Sequence, residues 1–462
     1  MNAPIDASAA EELHGASRRL AAFVAGLRFD DLPAGTVHAA KRALLDYVSC
    51  AVAGSAMPVS RALADYFEQE DASRHASVIG SGLRLSAPNA ALLNGANTHG
   101  LDFDDGHTQG SAHPAGAVFP AVLAAAQRHG AAPREILAAA AAGYDVMLRI
   151  AATVHPSSAR RGYHNTAIAG VFGAAAGAAS ILRLDAEATL NALGLAGSFA
   201  GGIREYLEEG AEIKRLHPGK AARDGLLCAE LARRGITGPT RVLEGRLGFL
   251  NVFGNGQIRP AALLQDLGRR HAIAEVYFKP YPCCRHYHAV LDGIRQLHAE
   301  HDFGTQDVER AEVGLYAVGA LGHDHQHCET LLEAQMSAPC AAAMAIADGD
   351  VTAPMFLPDN LARADLADLM RRIYTVVDPE CERIYPGVRS GAVTLALKDG
   401  RSLHARIVEP KGERANPLTD ADLEHKFRAN CEPLIGAARG AELLQAIWGF
   451  ERLDDAGALY RW

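Results

Sequence analysis

The sequence predicts a mainly α-helical protein, with one large all-helical domain and a smaller α+β domain. Three observations carry this. Over residues 17–235 apolar side chains recur at three- and four-residue spacing with few β-branched runs, the pattern of helices that bury one face. Beyond about Arg269, short β-branched or alternating stretches appear between the helical ones. Aromatic residues make up only 6% of the chain, whereas glycine supplies 45 of 462 residues, and small side chains suit closely packed helices better than a β-sandwich.

In chain order, a helix should follow Asp31 and Pro33, carry Ala39, Leu44, Leu45, Val48 and Val52, and end near Gly54, because proline presets the first helical turn. The next runs from Gly116 to about His129, with Gly130 as its stop. A third begins near Pro133 and carries Ile136, Leu137, Val146, Met147 and Ile150. Gly170, Gly173 and Gly177 lie along one helix, where they permit close helix contact; no strand precedes them, and their spacing is wrong for a dinucleotide fingerprint. Candidate strands are residues 274–278, 310–316 and 373–377, and the pair 393–398 and 403–408, which brackets the hairpin signal Asp399-Gly400. Residues 420–450 return to helical periodicity and can pack on either domain.

Composition narrows the function. With 45 Lys+Arg against 54 Asp+Glu, the net charge of −9 argues against general nucleic-acid binding, which needs a basic face. A hydrophobic fraction of 49% with 21% charged residues excludes a disordered chain. The length suggests two or three domains. Eight cysteines without C-x-x-C spacing read as reduced thiols of a cytoplasmic protein. The opening residues 1–6 lack the basic and apolar regions of a secretory signal. The small-apolar run 167–182 falls short of the ~20 residues a membrane span needs and reads as a buried helix.

Five polar clusters carry candidate chemistry. In Asp102-Phe103-Asp104-Asp105-Gly106-His107 and His113-Pro114, three carboxylates within four residues repel one another unless water, a cation or a proton intervenes. This is either a solvated loop or a pocket wall on which a carboxylate and His113 form an acid/base pair; a hard-cation site is the weaker reading. Arg161-Gly162-Tyr163-His164-Asn165-Thr166 places His164 at the positive end of a helix that Asn165 or Thr166 caps, or else is an ordinary capping turn. Lys214-Arg215-Leu216-His217-Pro218-Gly219-Lys220 opens a helix with a concentration of cations suited to a carboxylate or phosphate, or is a solvated face. After the extended Lys279-Pro280-Tyr281-Pro282, a helix from about Cys284 presents Arg285, His286 and His288. Lys279 there has a lowered pKa or binds a carboxylate, and vicinal Cys283-Cys284 reads as core rather than redox chemistry. His323-Asp324-His325-Gln326-His327-Cys328 offers metal ligands, at spacings unlike the usual zinc patterns.

Taken together and in this order, the segments resemble the MmgE/PrpD family, which includes 2-methylcitrate dehydratase, cis-aconitate decarboxylase and iminodisuccinate epimerase. The matching text is Leu45-Asp46-Tyr47 through Ala53-Gly54, Asn94-Gly95 through Asp102-Phe103-Asp104-Asp105, His113-Pro114-Ala115-Gly116, Gly162-Tyr163-His164, Lys214-Arg215-Leu216-His217-Pro218-Gly219 and Lys279-Pro280-Tyr281-Pro282, and it covers about residues 15–450. The resemblance implies a helical domain over 1–268, an α+β lid domain over 269–408, and C-terminal helices over 409–462 that return to the helical domain. It implies a homodimer, an active site in the cleft between domains, and a small di- or tricarboxylate substrate handled without metal or organic cofactor. The implied catalytic residues are Asp102, His113, His164, Lys214 and Lys279, with His107, Tyr163, Arg215, Arg285 and His286 binding substrate.

The chemistry common to these activities makes or quenches a carbanion beside a carboxylate, so cations must sit where charge develops. On this reading Lys214 and Lys279 supply them, His164 or His113 moves the proton, and Asp102 orients the histidine. The stretch between Asp102 and His113 is one residue longer than in the decarboxylase pattern. Cys284 stands where that branch has a pocket histidine, and Cys340, after Ser337, where it has a tyrosine. These departures argue against decarboxylation of cis-aconitate and leave a dehydratase-like lyase as the leading expectation by analogy. An epimerase, a non-catalytic carboxylate binder and a metalloenzyme are the alternatives.

Overall fold

The computed structural model describes residues 5–462; residues 1–4, part of the opening segment read above for a secretory signal, lie outside the described residues. The chain is mainly helical, as predicted. The first expected helices form as Ala34–Ser55, Ala115–His129 and Pro133–Val154, and Gly130 closes the second in the left-handed conformation at φ 75°. The first helix ends at Ser55, beside Gly54 as expected, and Gly54 is also a contact: a Cβ there would come within 1.8 Å of the Asn97 carbonyl oxygen. Small residues do the same work at the centre of the bundle. Asn165–Ile181 packs between Pro133–Val154 and Ile213–Ala232, and a Cβ on Gly219 would stand 2.1 Å from the Leu92 carbonyl oxygen. Pro133–Val154 is long and apolar enough to cross a membrane, but its most apolar window is wholly buried in the core, as is most of Asn165–Ile181.

Two apolar cores organise the chain. One gathers residues from Leu13 to Phe278 and resumes at Leu418 through Leu459. The other gathers Tyr281 to Ala405. In the second, four strands lie in the spatial order Ile373–Val377, Val308–Leu315, Gly391–Leu397, Ser402–Ile407, the first pair parallel and the others antiparallel. Asp399 and Gly400 turn the last hairpin, with Gly400 at φ 92°. The helix His288–Glu300 packs on this sheet, with Gly293 set against Val393 and Ala405.

Residues 274–278 are not a strand. Ala272–Glu275 is a 3-10 turn, and the chain beyond it makes one isolated antiparallel bridge, Tyr277 with Gly106. No ladder lies alongside to extend it, and the bridge instead ties down the loop that carries the three aspartates. The tail resolves as Asp420–Ile435 and Ala437–Trp448, packed on Ala34–Ser55 of the first core. Lys426 of this tail donates to Asp46 Oδ1 (2.7 Å) and to the Phe103 carbonyl (2.6 Å), so the last helices brace the same loop.

Candidate active site

The loop 102–107 is buried, not solvated: Asp102, Asp104 and Asp105 are each no more than 1% exposed. Each carboxylate has its own relief. Asp105 accepts from the Ala115 N–H at the start of Ala115–His129 (3.0 Å) and from the Tyr144 hydroxyl (2.9 Å), and burial pushes its pKa well up. Asp104 faces His99 Nδ1 at 2.8 Å. Asp102, with φ 51°, turns its side chain between two ammonium groups, bonding Lys214 Nζ and lying 3.2 Å from Lys279 Nζ.

One carboxylate cannot fully compensate two lysines. Burial opposes ionisation of Asp102, but the two lysines outweigh it and hold the pKa well below the usual range. Lys279, fully buried and also donating to the Asp102 carbonyl (2.6 Å), keeps its charge with a raised pKa: burial opposes the charge, but Asp102, with Tyr277 and Asp104 beside it, more than offsets that. Lys214 is the one that yields: burial, with Lys279 beside it, lowers its pKa despite Asp102. Its Nζ also lies 2.9 Å from His99 Nε2. A proton on Lys214 is therefore the labile one of the cluster.

Lys214 lines a cavity between the two cores, together with Asp102, His113, Tyr163 and His164 from one side and Cys284, His286, His323 and Arg389 from the other. His113 donates through Nδ1 to the Asp105 carbonyl (2.6 Å), which leaves Nε2 with its lone pair. Burial lowers the His113 pKa to about 3, so the ring is neutral at pH 7. His164 shares a proton with His217 across a 2.8 Å Nδ1–Nδ1 contact; burial, then His217, push its pKa well down. Two guanidinium groups complete the wall. Arg204 donates to the Ala159 carbonyl at 3.4 Å, and Arg389, only 3% exposed, reaches the Thr108 carbonyl at 3.5 Å while its Nε has no partner. Among the described residues neither has a carboxylate within ion-pair distance.

A profile of the MmgE/PrpD N-terminal domain matches residues 18–261, and one of the C-terminal domain matches residues 281–450. The chain belongs to the MmgE/PrpD family. Its relatives include a cis-aconitate decarboxylase-like protein, oryM, of Aspergillus oryzae, 28% identical over 95% of both chains. Cis-aconitate decarboxylases of Aspergillus terreus (27% identical, 96% of this chain and 95% of the relative) and Homo sapiens (26%, 97% and 94%) are similarly related. These relatives are lyases, which supports an enzyme of that broad kind within the MmgE/PrpD family.

Several roles expected from sequence are corrected. Among the described residues Asp102 makes no hydrogen bond to His113 or His164; Asp104 holds His99, with Asp102 3.8 Å from its Nε2, the Asp105 carbonyl holds His113, and Asp102 serves the lysines. Lys279 has a raised rather than lowered pKa and stays bound to Asp102, off the cavity wall. Arg215 is buried against the Gly100 carbonyl, Glu212 and Gln335 and places loops, off the cavity wall; Arg285 lines the cavity but is also committed to Glu413 (3.0 Å). His107 faces a neighbouring cavity beside Glu275. Neither Asn165 nor Thr166 caps the helix Asn165–Ile181, whose N-cap is His164 itself; Thr166 Oγ1 accepts from the His113 N–H and Asn165 Nδ2 donates to the Gly110 carbonyl. Tyr163 lines the cavity with its ring against Phe253, and His286 lines it with Nδ1 on the Tyr316 hydroxyl.

Sequence reasoning missed His99, Arg204, Arg389 and Gln335. Gln335 Nε2 donates to the carbonyls of Leu101 (2.7 Å) and Pro282 (2.9 Å), clamping the aspartate loop to the segment before Cys284. The His-rich segment splits: His323 is buried in the cavity wall, whereas His327 is exposed.

Proposed function

We propose that this protein forms or quenches a carbanion next to a carboxylate of a small di- or tricarboxylate, as a dehydratase-like lyase. The observation that carries the reading is the pairing, in one cavity, of two guanidinium groups lacking carboxylate partners with neutral histidines and a labile lysine. Arg389 and Arg204 would each take a substrate carboxylate, fixing the carbon acid between them. His113 Nε2, already bearing its lone pair, would remove the proton α to the carboxylate. Lys214 would sit where negative charge builds and, as the weaker-held ammonium, pass a proton to the departing hydroxyl; Asp102 and His99 would hold it in place. Water would carry away the hydroxyl oxygen, leaving an alkene.

The second reading, an epimerase, is favoured by His113 and His164 both lining the cavity in neutral form, since such a reaction needs a proton returned on the opposite face. Cys284 in the wall supports a substrate other than cis-aconitate. A pure carboxylate binder would need the arginines but not the histidine set. By family likeness the enzyme would act as a cytoplasmic homodimer. The test is proton NMR in D2O with citrate, 2-methylcitrate, cis-aconitate, malate, tartrate and iminodisuccinate. An alkene signal that Arg389→Met abolishes supports the lyase. Deuterium at Cα without loss of water supports the epimerase. Binding without either chemistry would overturn both.

A further inference from the structure

Away from the cavity, two cysteines meet behind the His-rich loop. Six of the eight free thiols are buried, and two, Cys284 and Cys328, are partly open to solvent. Cys284 Sγ faces an imidazole, His323 Nε2, at 3.2 Å. Cys328 instead faces a thiol: the Cys340 side chain is hydrogen-bonded to it, and that contact, then burial, pushes the Cys340 pKa well up. The backbone explains the meeting. The loop after Leu321 runs along the start of the helix Ala338–Asp348, where the Ala338 N–H donates to the His323 carbonyl (2.9 Å) and Ser337 Oγ to the His325 carbonyl (2.6 Å). Ser337 Oγ also caps that helix by accepting from the Cys340 N–H (2.9 Å), which sets Cys340 in the first turn. Cys328 is pinned on both sides, because Gln326 Nε2 donates to the Ile373 carbonyl (2.6 Å) and the Glu329 N–H to Glu333 Oε2 (2.7 Å). Cys340, 2% exposed, belongs to the second core, and Cys328 packs against that core from the solvent side.

We propose that Cys328 and Cys340 are a redox modification site, forming a reversible intrachain disulfide that clamps the loop carrying His323 to the helix Ala338–Asp348. The oxidant is a peroxide. Cys328, the member open to solvent, gives up its proton and its sulfur attacks one peroxide oxygen; the O–O bond breaks, leaving a sulfenic acid, and the departing hydroxide takes that proton to become water. The Cys340 sulfur then attacks the Cys328 sulfur, the S–O bond breaks, and the hydroxide leaves with the Cys340 proton as a second water. Two thiols are oxidised and one hydrogen peroxide is reduced. Cys340 is buried, so it resolves the sulfenic acid rather than meeting the oxidant itself, and its contact with Cys328 places the two sulfurs for that step. The assignment does not depend on the reaction proposed above, and its test does not read turnover.

The experiment is peptide mass analysis after hydrogen peroxide treatment of the reduced, full-length protein. No Lys or Arg lies between Arg310 and Arg363, so the tryptic peptide 311–363 holds Cys328 and Cys340 and no other cysteine. Alkylated under denaturing conditions and digested, the oxidised protein should yield this peptide free of alkyl groups and about 2 Da lighter than its reduced form. Dithiothreitol before alkylation should restore both alkylation sites. Cys328→Ser and Cys340→Ala should each abolish the mass loss, whereas Cys284→Ser should keep it. Cys328 lies in a loop, so Cys328→Ser decides the matter even if Cys340→Ala, in the core, fails to fold. A peptide still alkylated at both cysteines after peroxide would overturn the site. So would a Cys328 sulfinic acid with Cys340 still open to alkylation, chains linked to one another through Cys328, or a mass loss that survives Cys328→Ser.

Discussion

Replacing Arg389 with methionine should separate a substrate-binding arginine from a structural one by the sign of the stability change. Arg389 is 3% exposed, its Nε has no partner, and among the described residues it makes one long hydrogen bond, 3.5 Å to the Thr108 carbonyl, and a long cation–π contact, 5.9 Å from the Tyr277 ring centre. An uncompensated buried charge destabilises a fold by several kcal/mol, and apolar replacements of similar volume are often neutral or stabilising by about 1–4 kcal/mol. Arg389→Met without ligand should therefore be as stable as wild type or more so in urea unfolding. Its ligand binding should collapse: losing one partner of a buried charge pair costs about 2–5 kcal/mol, or roughly 30- to 4,000-fold in affinity. A carboxylate at 100 times its dissociation constant stabilises the wild type by about 2.7 kcal/mol; at the same concentration the variant should gain less than about 0.9 kcal/mol. A variant that loses several kcal/mol without ligand yet keeps the ligand-induced gain would refute the reasoning, making Arg389 a structural cation.

Asp102→Asn leaves two buried ammonium groups without a counter-charge and should destabilise by about 3–5 kcal/mol, measured by urea unfolding; an unchanged midpoint would remove Asp102 as the keystone of the cluster. Two buried histidines make acidification destabilising, against the raised carboxyls of Asp46, Asp104 and Asp105, which act in the opposite sense. His113 and His217, with pKa values lowered by burial to about 3 and about 4, are neutral when folded but protonate near 6.5 when unfolded, so the unfolded chain binds more protons below 6.5. Their contribution is fully present above pH 6.5 and declines as pH falls toward those values, by about 2 kcal/mol per histidine at pH 5. Replacing His217 with glutamine should remove its share of the loss between pH 7 and 5; an unchanged pH dependence in His217→Gln would contradict the neutral histidine. Gly219→Ala should destabilise by about 1–3 kcal/mol, since its Cβ would meet the Leu92 carbonyl oxygen at 2.1 Å. Gly35→Ala, in the first turn of Ala34–Ser55 with open space around it, should be neutral or slightly stabilising by the same measurement.

What the sequence made legible was periodic. The apolar spacing of residues 34–55 and 133–154, and the Asp399-Gly400 turn between alternating stretches, specify local structure through backbone and burial rules that act within a few residues. Residues 274–278 have a strand-like composition, but a strand needs a neighbour, and only tertiary structure reveals that this segment has a single bridge. The histidines and lysines of the site stood out because they cluster along the chain. Arg204 and Arg389 did not, because each lies alone among ordinary residues, and what singles them out is the absence of a counter-charge. His99 sits just past the end of a buried helix and acquires meaning only when Lys214, 115 positions away, reaches it. The exchange of roles between Asp102 and Asp104 was equally hidden: residues two apart in a loop look alike until the lysines from two other segments choose between them.

The most direct test of the central claim is deuterium exchange and turnover in D2O, followed by NMR over the di- and tricarboxylate panel, comparing wild type with Lys214→Ala and His113→Ala. The account predicts exchange or elimination α to a carboxylate in the wild type and its loss in both variants while their folds persist. Chemistry that survives in both variants would contradict it.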